Sequence, residues 1–190
     1  MSELGFTPKN LTFDEEGREK LFKGISAIAS AVKSTLGPSG QTVLIESPNH
    51  THGITVTKDG VTVAKAVDLL DPVENLAVRM MKEAADRTAS QAGDGTTTAI
   101  VLTEALVKAG FKYIKKEANK TQILRDLVAE TNIVIESLKQ HSRKVSGRTL
   151  RDVAIISCNN DTELGGIIAE VYKKVGKDGI VTIAKSQTSE

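Results

Sequence analysis

A short run of glycine, aspartate and threonine, Ala-Gly-Asp-Gly-Thr-Thr-Thr-Ala at residues 92–99, constrains the fold more than any other segment. Gly93 and Gly95 favour a tight turn with positive φ, and the apolar residues that follow at helical spacing, such as Ile100 and Leu106, predict a helix. The amides at a helix N-terminus are unpaired and carry a partial positive charge, so they attract anions. The segment therefore predicts a turn into a helix whose first turn can bind a phosphate group.

Asp94 lies inside this turn, where its carboxylate would repel a phosphate. Mg²⁺ removes the conflict, because it binds one or two carboxylates together with phosphate oxygens. We interpret the segment as a Mg-nucleotide phosphate loop, and not a Walker A loop, since no Gly-Lys-Ser/Thr follows the glycines. A well-capped helix without a ligand is the alternative that the local residues leave open.

Composition excludes several classes of protein. With no Trp, 2 Tyr and 4 Phe in 190 residues, the core must be aliphatic and stacking platforms for bases are scarce. The net charge of +1 comes from interleaved acids and bases, which argues against a nucleic-acid partner. The single cysteine excludes an internal disulfide. We expect no membrane segment and a cytoplasmic location, because the sequence shows neither a signal region nor an apolar run of ~20 residues.

Apolar spacing predicts a mainly α-helical chain with one small β-hairpin, followed by a small α+β segment. The predicted helices cover residues 14–36, 71–91, 96–117, 121–140, 149–157 and 162–175, and the predicted strands cover 41–46, 54–57 and 180–184. We place a domain boundary near residues 140–148. The last strand has no later segment with which to pair, so it pairs upstream or the chain is the front part of a longer protein.

Other polar groups are weaker candidates. Residues 35–38 (Thr-Leu-Gly-Pro) can present backbone groups to a nucleotide or simply end a helix, and residues 57–60 (Thr-Lys-Asp-Gly) offer a cation and a carboxylate or a plain β-turn. His50 and His52 are read as part of a solvated loop, since no further metal ligand is near in sequence. Cys158 is interpreted as a small core residue.

Four motifs in this order resemble the group I chaperonins, the GroEL-type family. They are Thr-Leu-Gly-Pro at 35–38, Thr-Lys-Asp-Gly at 57–60, Ala-Gly-Asp-Gly-Thr-Thr-Thr at 92–98 and Ile-Ser-Cys-Asn-Asn-Asp at 156–161. The resemblance covers essentially the whole chain. It implies that residues 1–143 are the N-terminal part of an equatorial ATPase domain and residues 144–190 the first segment of an intermediate domain, with the apical domain absent.

The resemblance also implies a set of site residues. The nucleotide would contact Thr35, Leu36, Gly37, Pro38, Lys58, Asp94, Gly95, Thr96, Thr97 and Thr98. Asp94 would bind Mg²⁺, whereas Thr35, Lys58 and Thr97 would lie at a K⁺ position. Asp59 would lie near the γ-phosphate as a catalytic candidate, since the family's main catalytic aspartate belongs to a part of the family's chain beyond the match.

The expected function is that of a chaperonin subunit, which uses ATP, Mg²⁺ and K⁺ to refold unfolded client proteins inside a ring of subunits, with a co-chaperonin as a further partner. The alternative is a non-catalytic module that binds or caps a chaperonin ring. Whether the 190 residues hydrolyse ATP is left open. One departure is that Ser-Gly-Gln-Thr at 39–42 replaces the family's usual Lys-Gly-Arg-Asn, which removes two positive charges near the phosphates.

Overall fold

The computed structural model describes residues 10–46, 53–114, 119–176, 179–182 and 184. It confirms the mainly helical fold with one hairpin. The elements are α1 (Asp14–Lys33), β1 (Val43–Glu46), β2 (Ile54–Thr57), α2 (Gly60–Ala66), α3 (Pro72–Ala92), α4 (Thr96–Ile114), α5 (Lys120–His141), α6 (Arg148–Ser157) and α7 (Thr162–Val175). In the described residues, no helix is both long and apolar enough to cross a membrane.

The chain divides into two compact units, Met1–Ile123 and Leu124–Glu190. The predicted assignment of residues 1–143 and 144–190 to two domains stays a prediction. The first unit holds an aliphatic core to which α1, α2, α3 and α4 all contribute. Its largest fully buried side chains are Ile28, Val32, Val78 and Ile100.

A glycine on α1 lets α1 and α3 approach closely. A Cβ on Gly24 would lie 2.1 Å from the carbonyl oxygen of Glu74, which is a backbone atom that cannot move aside on its own. Local chemistry fixes both ends of α3. The carboxylate of Asp71 accepts hydrogen bonds from the amides of Val73 (2.8 Å) and Glu74 (3.2 Å), and Gly93 ends the helix in the left-handed conformation.

The hairpin pairs β1 and β2 antiparallel, with Val43 opposite Thr57 and Glu46 opposite Ile54. Val43 and Ile45 pack against the core. The first strand begins two residues later than predicted, because the amide of Gln41 donates to the carbonyl of Ser34 (2.7 Å) in the preceding turn. Residues 47–52, which include His50 and His52, lie outside the described residues, so the interpretation of the two histidines stays a prediction.

Two features of the first unit differ from the sequence prediction. Helix α1 ends at Lys33 and not at residue 36, because the amides of Thr35 and Leu36 bond to carbonyls three residues earlier and Gly37 adopts φ +77°. The second difference is α2, which the apolar spacing did not predict. At 7 residues it is too short to show an apolar period, and its buried Val63 and Ala64 were assigned to no helix or strand.

In the second unit, α6 and α7 pack at close range, since a Cβ on Gly165 would lie 2.5 Å from the Cα of Ile155. The prediction of a strand at 180–184 is wrong for the part of it that the structure describes, residues 180–182 and 184, which form no strand. None of the described residues pairs with this segment, and an isolated extended segment cannot satisfy its backbone groups as a strand.

Candidate functional site

The three loops singled out in the sequence of the first unit meet at a cleft of about 260 Å³. Among the described residues, its lining consists of Leu36, Asp59, Val61, Ala89, Gly93, Asp94, Gly95, Thr96, Thr97 and Thr98. The structure thus brings the Gly-Asp-Gly-Thr-Thr-Thr segment together with Asp59 and Leu36. The other predicted residues, Thr35, Gly37, Pro38 and Lys58, lie outside this lining.

The N-terminus of α4 forms one side of the cleft. The amide of Ala99 donates to the carbonyl of Gly95 (2.9 Å), so the helical ladder starts there. The amides of the first turn have no partner within the helix and are available to an anion. Gly93 and Gly95 hold φ of +74° and +87°, which residues with a Cβ rarely adopt. The turn therefore leaves backbone exposed to close approach by a ligand.

Asp94 lies at the rim of this turn. Its Oδ1 accepts a hydrogen bond from the amide of Gly95 (2.6 Å), and the residue is exposed to solvent. No group of three or more His, Cys, Asp or Glu side chains is placed to hold a metal within the residues described. The exposed carboxylate of Asp94 beside an anion-attracting helix N-terminus nevertheless fits Mg²⁺, which keeps several waters and shares its remaining positions with phosphate oxygens. The donor set is too small for a metal cage built from protein alone.

Asp59 lines the same cleft as Asp94 and is the N-cap of α2. Its carboxylate accepts hydrogen bonds from the amides of Val61 (3.3 Å) and Thr62 (2.9 Å) and from the Thr62 hydroxyl (2.6 Å). Partial burial alone would raise the pKa of Asp59, but the hydrogen bonds from Thr62 and Val61 outweigh it and lower the pKa below its ordinary value. Asp59 is therefore an ionised acceptor held in a fixed orientation.

A glycine contact fixes α2 against α4. A Cβ on Gly60 would lie 2.0 Å from Oγ1 of Thr97, so only glycine leaves room for that hydroxyl. Gly60 is buried. A Cβ at this position would also lie 3.4 Å from Cγ1 of the core residue Val32. This packing positions Asp59 with respect to the threonines of α4.

The turn after α1 supplies the remaining wall. Leu36 lines the cleft with an exposed side chain, whereas the Thr35 hydroxyl donates to the carbonyl of Val32 (2.8 Å). Gly40 lies close to this turn, because a Cβ there would be 2.3 Å from the Thr35 carbonyl oxygen. The backbone of this turn is therefore compact, and Leu36 is the residue of the turn that lines the cleft.

Some of the lining residues carry no signal that was recognised in the sequence. Val61 was overlooked together with α2, although the Asp-x-x-Thr spacing of Asp59 and Thr62 is a capping signal that could have indicated the helix. Ala89 reaches the cleft only because α3 ends beside it, which no local pattern shows.

Comparison with known proteins shows that this chain is similar to chaperonins in sequence and in fold. Residues 28–189 match the TCP-1/cpn60 chaperonin family. The fold is similar to the chaperonin gp146 from the bacteriophage EL 2 (Pseudomonas aeruginosa), solved in the presence of ATP-BeFx, with 31% identity, a TM-score of 0.72 and coverage of 84% of this chain and 28% of that one. It is also similar to a group III chaperonin in the open state, with 26% identity, a TM-score of 0.70 and coverage of 87% and 34%.

The chain thus spans 28% and 34% of the length of these two structures. Assignment to group I within the family stays a prediction. The match over residues 28–189 covers most of the sequence, and it includes the cleft and both helices of the second unit that pack together. The chain belongs to the TCP-1/cpn60 chaperonin family.

Proposed function

We propose that the cleft binds the phosphates of a Mg-nucleotide and that the chain acts as part of an ATP-dependent chaperonin subunit. The observation that carries the proposal is the meeting of the α4 N-terminus, Asp94, Asp59 and Leu36 at one cleft. A helix N-terminus with glycines ahead of it attracts phosphate, and two carboxylates beside it favour a phosphate that arrives with a divalent cation.

Each lining residue has a distinct role in this proposal. Asp94 is the ligand of Mg²⁺, which when bound neutralises phosphate charge. The amides and hydroxyls of residues 96–98 hold phosphate oxygens, and Leu36 contacts the less polar part of the nucleotide. Asp59 is the catalytic candidate, because its fixed, ionised carboxylate can accept a hydrogen bond from a water near the phosphates. Thr35, Lys58 and Thr97 are proposed to contribute to a K⁺ position.

The activity of the whole protein is also a proposal. Membership of the chaperonin family, and the solution of gp146 in the presence of ATP-BeFx, support ATP-driven refolding of unfolded client proteins within a ring of subunits. A co-chaperonin is a further proposed partner, and the cytoplasm is the proposed location. Client binding would require parts of a chaperonin subunit that correspond to the apical domain.

Mg-ADP binding to the 190-residue chain tests the cleft directly. The amide NMR signals of Gly93 and Gly95 report the turn itself, so they can follow weak binding. Asp94→Asn keeps the acceptor for the Gly95 amide but removes the negative charge. We expect the variant to bind Mg-ADP about ten-fold more weakly, because one charged interaction is lost. Asp161→Asn, at the cap of α7 in the other unit, is the control and should bind as the wild type does. Equal affinity in all three proteins would refute Asp94 as the Mg²⁺ ligand.

A second candidate function is a non-catalytic module that binds a chaperonin ring. The observation in its favour is apolar surface: Leu44, Ile54 and Val56 of the hairpin are each more than half exposed. Sedimentation of the chain alone and with a chaperonin ring distinguishes the two functions. A monodisperse monomer without affinity for the ring would exclude the module.

A further inference from the structure

An ion pair with one buried partner, Glu104, joins α1 to α4 away from the cleft lining. Among the described residues, the buried polar or charged side chains are Thr96 and Glu104, and both belong to α4. Glu104 is 9% exposed, and its Oε2 pairs with Nζ of Lys33, the last residue of α1. Helix α4 therefore carries a cleft residue and, eight positions on, a buried carboxylate tied to another helix. At the rise of an α-helix these two positions are ~12 Å apart along the axis.

Burial of Glu104 gives this pair a consequence that a surface ion pair lacks, although the Lys33 side chain is 43% exposed. A carboxylate removed from water needs a compensating charge, and loss of the Lys33 ammonium group leaves the Glu104 carboxylate unpaired in a poorly solvated position. The position of Lys33 relative to α4 is thereby restricted. Pairs between two exposed side chains, such as Lys65 and Asp86 (3.1 Å), impose little restriction because water solvates each partner well.

Lys33 is also linked to the cleft through the backbone. Its carbonyl accepts a hydrogen bond from the amide of Leu36 (3.1 Å), and Leu36 lines the cleft. The neighbouring Ser34 carbonyl accepts from the amide of Gln41 (2.7 Å), which closes the same turn. Lys33 thus contacts the Leu36 turn through its carbonyl group and Glu104 of helix α4 through its ammonium group.

We infer that Lys33 and Glu104 are a positioning pair that sets the separation between the Leu36 turn and the α4 N-terminus, and through it the affinity for the nucleotide. The inference rests on the proposed nucleotide site. Neither residue touches the ligand. Their effect is to keep two walls of the cleft at the spacing that lets both contact one nucleotide.

Four single variants of the 190-residue chain test the pair: Lys33→Met, Glu104→Gln, Lys33→Arg and, as the control, Lys65→Met. Lys65 is matched to Lys33, since it also lies in the last turn of its helix and pairs with an acid on another helix. The dissociation constant for Mg-ADP is measured from the amide signals of Gly93 and Gly95, and the amide signal of Leu36 without ligand reports the turn.

We expect Lys33→Met and Glu104→Gln each to weaken Mg-ADP binding about five-fold, which is the size of effect found when residues that couple two sites are altered. Both variants should also shift the Leu36 amide signal. Lys33→Arg should restore binding to within about two-fold, because the charge is retained. Lys65→Met should bind as the wild type does. The Lys33→Met/Glu104→Leu double variant covers the case in which Glu104→Gln does not fold, because it removes both charges together.

The inference is overturned if Lys33→Met or the double variant folds and binds Mg-ADP as tightly as the wild type, with the Leu36 signal unmoved. It is also overturned if Lys33→Arg binds as poorly as Lys33→Met. Failure of the wild type itself to bind Mg-ADP would instead refute the proposed nucleotide site, and with it the role of the pair. The wild-type titration thus separates the two failures.

Discussion

The two units of this protein bury their apolar residues to very different extents. In the first unit, side chains from four helices close around a core that contains Ile28, Val32, Val78 and Ile100, each almost fully buried. In the described part of the second unit, the buried apolar side chains are Ala154 and Ala169. Helix α5 crosses the division between the units, and none of its residues is buried.

This difference shows that an apolar period identifies a helix without identifying what covers it. Helices α4 and α5 were both predicted from their apolar spacing, and both form. Ile100 of α4 lies in the core, although Leu102 and Leu106 of the same helix are exposed. On α5 no residue is buried, and the exposed large apolar side chains are Leu124, Leu127, Val128, Ile133, Val134, Ile135 and Leu138. The sequence gives the same signal in both cases.

The largest expected effect comes from one substitution made in both regions. Ile100→Ala removes a side chain that is 1% exposed, and we expect a loss of about 3 kcal/mol from the free energy of unfolding, since it leaves a cavity. Ile133→Ala, on α5 and 62% exposed, should change that free energy by less than about 0.5 kcal/mol. Urea unfolding followed by circular dichroism measures both. Similar losses would break the comparison, because they would mean that the α5 face is covered in solution.

A smaller effect is expected at the cap of α7 in the second unit. The Asp161 carboxylate accepts hydrogen bonds from the amides of Glu163 (3.0 Å) and Leu164 (2.9 Å), so Asp161→Ala should cost about 1 kcal/mol. Hydrogen exchange of the α7 amides measures this locally. Asp161→Asn should retain most of the protection, because its amide oxygen can also accept. Unchanged exchange in Asp161→Ala would show that packing on α6 alone holds this end of the helix.

The smallest effect concerns the pH dependence of the first unit. The hydrogen bond from Lys20 is the main cause that lowers the pKa of Asp71, and Asp71 in turn raises the pKa of Lys20. Because the Asp71 pKa is lower in the folded state, its contribution is present above its ordinary value of 3.8 and is lost as the pH falls through the folded pKa. The raised pKa of Lys20 gives a contribution that is present below 10.5 and is lost as the pH rises through the folded value.

Urea unfolding at a series of pH values checks both ends of this range. Compared with the wild type, Asp71→Asn should show a weaker decline in stability at acid pH and at alkaline pH. A control at Asp86, which pairs with Lys65 on the surface (3.1 Å), separates this pair from general charge effects. Parallel curves for the wild type and Asp71→Asn would contradict the prediction.

Much of the fold could be predicted from local patterns. The bounds of α7 and of β2 agree with the sequence prediction to the residue, since Asp161 caps the helix and turn residues border the strand. The short α2 was missed, because seven residues are too few for a period to appear. The prediction of a strand at 180–184 is wrong for the described residues 180–182 and 184, because a strand depends on a pairing partner that the local sequence does not supply.

The sequence by itself determined the local chemistry: the turn at residues 92–95, the caps at Asp71 and Asp161, and the family membership that the ordered motifs express. Caps and turns depend on a few neighbouring residues, so they can be read from the chain. Only the tertiary structure decided that Leu36, Asp59 and Asp94 share one cleft and that Lys33 pairs with Glu104. These residues are far apart in sequence, and only the packing of α1, α2 and α4 around a common core brings them together.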